Sequence, residues 1–167
     1  TIYYKRLRMA NPEMSRFKDL ILYNLEAGEA VLTDNNDIRV YTDGKEKFRA
    51  LIEEMKQAKR YIHMQYYIIR NDELWQEVEK VLIQKAREGV EVRVLFDSMG
   101  CRTMKNRDWE RLEKEGIQVA EFFPALLGQL QLRVNYRNHR KIVVIDGRVG
   151  FVGGFNVGRE YLGRDKK

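Results

Sequence analysis

At 167 residues the chain has the length of one domain, enough to bury about two-thirds of its unfolded surface. One cysteine and two histidines exclude an internal disulfide, a multi-cysteine zinc site and a His-rich metal centre, and no Asp-rich loop has the spacing of a Mg²⁺ or Ca²⁺ site. A charged fraction of 34% with a net charge of +6 fits a soluble globular protein with anionic partners, either a phospholipid surface or nucleic acid.

Thr1–Ala10 sets Ile2, Tyr3 and Tyr4 before Lys5, Arg6 and Arg8, a basic arm with aromatics that suits a membrane–water interface. Asn11-Pro12 opens a helix to about Leu25, with Phe17, Leu20, Ile21 and Leu25 on one stripe and Gly28 as its stop. Ile38, Val40 and Tyr41 read as a short strand ended by Asp43-Gly44. A second helix, about Lys45 to Ala58, buries Phe48, Leu51, Ile52 and Met55. Tyr61–Ile69 is an aromatic and β-branched run, the pattern of a central strand. Asn71-Asp72 caps a third helix to about Glu88, with Leu74, Val78, Val81 and Leu82 inward. Val90–Phe96 is another buried strand, followed by a polar loop at Asp97–Met104. A fourth helix, about Asn106 to Glu115, precedes a strand at Ile117–Phe123 closed by Pro124. The apolar stretch Ala125–Leu132 has no clear period. Strands alternating with helices predict an α/β fold with helices on both faces of a sheet, which the hairpin described next makes mixed.

Ile142–Ile145 and Val149–Val152 flank Asp146-Gly147, the strongest short hairpin signal a sequence offers. A two-residue type I′ turn would set 145 opposite 148, 143 opposite 150, 141 opposite 152 and 139 opposite 154. His139, Lys141, Gly154 and Asn156 then emerge on one face at one end, where Gly154 has no side chain to block them. A reactive imidazole, a cation and an amide converge there, which is the geometry of an anion site. Asp146 falls in the turn at the far end and is expected to cap and ion-pair.

The spacing H-x-K-x4-D-x6-G-G-x-N resembles the signature of the phospholipase D superfamily without a mismatch. The lead-in Asn135-Tyr136-Arg137-Asn138-His139-Arg140-Lys141 and the exit Gly153-Gly154-Phe155-Asn156-Val157-Gly158 narrow the resemblance to bacterial cardiolipin synthases. It implies a phospholipase D-like half, with residues 1–36 as a basic arm and helix and residues 37–167 as the first half of a catalytic domain. It implies a metal-free, cofactor-free phosphatidyltransferase in which His139 attacks phosphorus and becomes phosphohistidine. Lys141 and Asn156 hold the non-bridging oxygens, and Gly153 and Gly154 let the backbone come close. Imidazole suits that task, since it is neutral near physiological pH and leaves phosphorus readily.

The general acid in this family comes from a histidine in a second motif. The only other histidine is His63, and a lone histidine on a buried strand reads first as a satisfied core residue. Arg137 is a candidate contact for a lipid phosphate, whereas Arg140 alternates away from His139. Tyr66 and Tyr67 read mostly as core, with one able to line the site. Cys101 has no role, and the basic loop Arg102, Lys105, Arg107 reads as solvated surface. Thr1 and the closing Arg164–Lys167 read as cuts in a longer protein, itself in the cell membrane, whose second half is a partner of this otherwise soluble piece.

Anionic phospholipid and a membrane surface are the expected partners, and nucleic acid is the weaker candidate. Two competing functions stand beside phosphatidyl transfer. One is a single-motif phosphodiesterase or nuclease that pairs two copies through the His139 face. The other is a phosphate-binding or scaffold module with an idle motif.

Overall fold

A computed structural model describes residues 12–30, 32–33, 36–122 and 137–163. The basic arm and the 125–132 stretch lie outside the described residues. The chain divides into two compact units, Thr1–Val40 and Tyr41–Lys167.

In the first unit Pro12–Phe17 forms a 3₁₀ helix and α1 follows at Lys18–Gly28. The helix ends as Glu29 turns into the left-handed region. The expected apolar stripe is not a buried one, for Phe17 and Leu20 are 46% and 59% exposed. The strand expected at Ile38–Tyr41 is absent. Ile38 and Val40 are 82% and 81% exposed, and so short an alternation does not order without a neighbouring strand to pair with.

The second unit is built on a five-stranded mixed sheet. Its strands are β1 (Tyr61–Tyr66), β2 (Glu91–Asp97), β3 (Gln118–Phe122), β4 (Ile142–Ile145) and β5 (Val149–Val152). They lie in the order β3-β2-β1-β4-β5, so the aromatic run is central, as its composition predicts. β1, β2 and β3 are parallel, and the β4–β5 hairpin joins β1 antiparallel.

Three helices accompany the sheet: α2 (Gly44–Lys56), α3 (Glu73–Arg87) and α4 (Asn106–Lys114). Asp43 caps α2 by accepting the Glu46 N–H at 2.9 Å, so Asp43-Gly44 starts a helix where it was expected to end a strand. Asp72 caps α3 through the Leu74 and Trp75 N–H groups, as expected. The steps β1→β2 and β2→β3 run in the same direction across the sheet. Right-handed crossovers therefore carry α3 and α4 to one side. Burial agrees: Ile62, Met64, Tyr66, Val92, Val94, Phe96, Val143 and Ile145 share a core with Phe48, Leu51 and Met55 of α2, Val78 and Leu82 of α3, and Trp109 and Leu112 of α4. The opposite face, with Tyr61, His63 and Gln65, is half-buried, and Arg93 on it is exposed. Among the described residues the expectation of helices on both faces is thus met on one.

The hairpin stands where predicted, with a different register. The Arg148 N–H donates to the Ile145 carbonyl at 3.0 Å, and Asp146 and Gly147 both have positive φ, as a primed turn demands. Yet Ile145 pairs with Val149 and Ile142 with Val152, leaving Arg148 as an extra residue. This bulge moves every pair one step from the expected register.

Candidate active site

The site forms where β1 ends and the hairpin opens. Because of the bulge, Lys141 meets Gly153, whose N–H donates to the Lys141 carbonyl at 3.3 Å. Hairpin pairing is therefore not what brings Asn156 to His139. The chain instead leaves the hairpin at Gly153-Gly154 and runs beside the continuation of β1. The Val157 N–H donates to the Ile68 carbonyl at 3.1 Å, and the Arg70 N–H to the Val157 carbonyl at 2.9 Å. One short parallel bridge thus docks the motif's second half onto the strand that its first half already flanks.

Tyr67 is the common neighbour. Its ring centroid lies 4.7 Å from that of His139, with the planes tilted by 55°, and 5.3 Å from Lys141 Nζ. The His139 side chain is exposed. Lys141 is 5% exposed, and its Nζ donates to the His139 carbonyl at 2.7 Å. Burial holds its pKa below the ordinary lysine value, and the facing ring favours the ammonium form. Asn156 is also 5% exposed. Its Oδ1 accepts the Ile68 N–H at 3.2 Å and its Nδ2 donates to the Tyr161 hydroxyl at 2.8 Å, which fixes the amide's orientation. Among the described residues a Cβ on Gly153 or Gly154 would meet no atom within 4 Å, so none of them occupies the space beside the motif there. Arg137 is half-buried and Arg140 exposed at the head of the motif.

Asp146 sits at the far end of the hairpin, as expected, but what it holds is another segment. Its Oδ1 accepts the Arg60 and Tyr61 N–H groups at 2.8 and 2.9 Å, and its Oδ2 the Lys59 N–H at 2.8 Å. Those backbone donors, Tyr61 first, lower its pKa. Arg148 makes its close ion pair with Glu54, and its charge also helps to lower the Asp146 pKa.

His63 is neither a core residue nor near His139. It stacks on Tyr61 at 4.5 Å and meets Glu91 Oε1 at 2.6 Å on the half-open face. It lies four residues back from Tyr67 along β1, about 13 Å at a strand's rise per residue. Tyr66 is core, and Tyr67 is the tyrosine that lines the site.

Three contributors, Asp97, Gly100 and Tyr161, were not singled out in the sequence, and Cys101 was given no role. Asp97, fully buried, accepts the Met99 and Gly100 N–H groups through Oδ1 and the Asn138 N–H at 3.2 Å through Oδ2. Gly100 abuts Tyr67 so closely that a Cβ would collide with the Tyr67 carbonyl oxygen. Cys101 Sγ accepts the Ile69 N–H at 3.2 Å; burial pushes its thiol up to about 12, so it is structural and not a nucleophile. An Asp at a strand's end with Gly three residues on is an Asx-turn signal that could have singled out a loop read only as polar. No sequence signal points to Tyr161. Among the described residues no group of three or more His, Cys, Asp or Glu side chains is arranged to hold a metal ion, and no helix is long and apolar enough to cross a membrane.

Comparison with known proteins gives the same direction. The family described as "Cardiolipin synthase, PLD-like domain" matches residues 51–166. A cardiolipin synthase of Oceanobacillus iheyensis is 49% identical over 93% of this chain and 32% of its own length. The major cardiolipin synthase ClsA of Bacillus subtilis is 50% identical over 90% and 31%. The chain therefore spans about a third of the length of the curated relatives it matches. Among solved structures, NucT from Helicobacter pylori aligns with a TM-score of 0.55 at 17% identity, covering 73% of this chain and 74% of that one. Nuc from Salmonella typhimurium, a phospholipase D family member, aligns at 0.50 and 20%, covering 70% and 69%. The likeness to these two concerns the fold alone. With its motif intact and its family matched over most of its length, the chain belongs to the cardiolipin synthase family of phospholipase D-like domains.

Proposed function

We propose that the protein containing this chain is a phosphatidyltransferase that makes cardiolipin from anionic phospholipid at a membrane surface, with His139 as its nucleophile. The observation that carries this reading is the gathering of His139, Lys141 and Asn156 around the end of β1, with His139 the most exposed of the three. An imidazole nitrogen attacks phosphorus, the bond to the leaving alkoxide breaks, and the alkoxide takes a proton from a general acid. The hydroxyl of an acceptor lipid or of glycerol then gives its proton to the same group, now a base, and attacks phosphorus as the phosphorus–nitrogen bond breaks.

A phosphodiester resists attack because its non-bridging oxygens are negative. Lys141 Nζ, already desolvated, and the clamped Asn156 amide neutralise and orient those oxygens without reorganising during the reaction. The open space beside Gly153 and Gly154 would admit the phosphate, and Arg137, half-buried at the head of the motif, would contact it. The cationic surplus of the chain suits an acidic lipid surface.

The test is an acid-labile phosphoenzyme formed by the intact protein with phosphorus-labelled anionic phospholipid. His139→Ala should abolish it, and His63→Ala should leave it largely unchanged. Labelling that survives His139→Ala would refute the assignment. Labelling with a nucleic acid donor and not with lipid would favour the phosphodiesterase alternative.

A further inference from the structure

We propose that Asp97 is a positioning residue for this reaction: its buried carboxylate holds the backbone just before His139 and so sets the imidazole against Tyr67. The inference rests on His139 being the nucleophile. Asp97 ends β2, and its neighbour Phe96 pairs with Tyr66, so it stands level with the point where β1 delivers Tyr67. It is 0% exposed. Burying a carboxylate is costly unless its lone pairs are taken up by donors, and here three backbone N–H groups supply them.

Those donors divide unequally. Oδ1 serves its own loop, accepting from Met99 at 2.9 Å and Gly100 at 3.3 Å. Oδ2 reaches across 41 residues of sequence to the Asn138 N–H at 3.2 Å. A loop cap alone would need only the first oxygen. The second fixes a peptide one residue from the nucleophile, where a small shift of backbone is passed directly to the imidazole.

The same loop also grips the other partner. The Cys101 N–H donates to the Asp97 carbonyl at 3.1 Å, Gly100 packs on the Tyr67 carbonyl, and Cys101 Sγ donates weakly to that carbonyl at 3.6 Å. Residues 97–101 therefore hold both sides of the 4.7 Å contact between His139 and Tyr67. A loop with one end on each ring is a spacer.

The experiment compares Asp97→Asn with wild type in the intact protein. Asparagine keeps an oxygen for the loop but turns an amide donor toward the Asn138 N–H. Hydrogen exchange of the segment containing Asn138 should quicken. Because misplacement of a reacting group by a fraction of an ångström is expensive, kcat for phosphatidyl transfer should fall about ten- to a hundredfold with KM nearly unchanged. Val78→Ala in the core of α3 supplies a variant matched in thermal stability.

Wild-type exchange at Asn138 together with near-wild-type kcat in Asp97→Asn overturns the proposal. So does an equal loss of kcat in Val78→Ala. Should Asp97→Asn fail to fold, Gly100→Ala displaces the Tyr67 carbonyl while keeping the carboxylate. It should lower kcat in the same manner, and wild-type kcat there overturns the proposal too. A wild type without phosphatidyl transfer, whose Asn138 exchange still quickens in Asp97→Asn, refutes the lipid reading and leaves the positioning role standing.

Discussion

Asp146 is the motif carboxylate, and its surroundings give it a mechanical task. Three backbone N–H groups of Lys59, Arg60 and Tyr61 converge on it, pinning the entry of β1 to the turn of the hairpin. Asp146→Asn replaces one acceptor oxygen by a donor and leaves at least one of those N–H groups unmatched. We expect a loss of about 1–3 kcal/mol, read as a lower urea midpoint. The folded variant should retain His139 phosphorylation, and a folded variant that has lost it would give Asp146 a chemical role. The pH dependence has a definite sign. A carboxylate whose pKa is depressed in the folded state stabilises above its unfolded value of 3.8 and loses that contribution as pH falls through the lower, folded value. The wild type should therefore lose stability on acidification below about pH 4 more steeply than Asp146→Asn.

Between elements, the firmest polar link from α2 to β1 is Lys47, whose Nζ donates to the Tyr66 hydroxyl at 2.7 Å beneath the Phe48 ring. Burial draws its pKa down to about 7 and pushes the Tyr66 hydroxyl up. In the unfolded chain the lysine is protonated up to about 10.5, so between pH 7 and 10 unfolding takes up a proton and stability rises with pH. The slope is at most about 1.4 kcal/mol per pH unit. Above pH 10 the tyrosine opposes it, since only the unfolded chain ionises there. Lys47→Met should flatten the rise; urea midpoints at pH 7 and 9 that climb equally in both proteins would disprove it.

Periodicity was enough to find α2, α3, the central strand and both hairpin strands, because each buries a face whose residues repeat at the element's own period. It failed at Ile38–Tyr41, where a pattern had no neighbour to pair with. It failed more instructively at Arg148. A bulge is set by how the turn's twist meets the ladder, and one residue there changes every opposing pair. His139, Lys141 and Asn156 were nevertheless legible because the motif's spacing marks them whatever the register of the hairpin. Asp97 and Tyr161 were not: the bond from Asp97 to Asn138 spans 41 residues of sequence, and the tyrosine five residues past Asn156 belongs to no motif.

At the scale of the whole molecule, the proposed nucleophile has no second imidazole beside it among the described residues. The chain has two histidines; His63 lies about 13 Å from Tyr67 along the strand direction and is turned to Glu91. Protonation of a leaving alkoxide requires a donor within hydrogen-bond reach of the reacting oxygen. The His139 face must accordingly meet another acid, supplied by further sequence of the longer relatives' kind or by a second copy of this chain. The 167-residue chain alone should then form phosphoenzyme slowly when dilute. If two copies can meet through that face, its specific activity should rise with concentration as they associate. The measurement is initial rate against concentration alongside sedimentation under the same conditions. Full activity at the lowest concentration, from a species that sediments as a monomer, would mean that one of this chain's own side chains donates the proton. Tyr67 would then be the first to replace, because its ring packs against the imidazole of His139 with 4.7 Å between centroids. Tyr67→Phe would keep the stacking and remove the proton, so a selective loss of kcat in that variant would identify the donor.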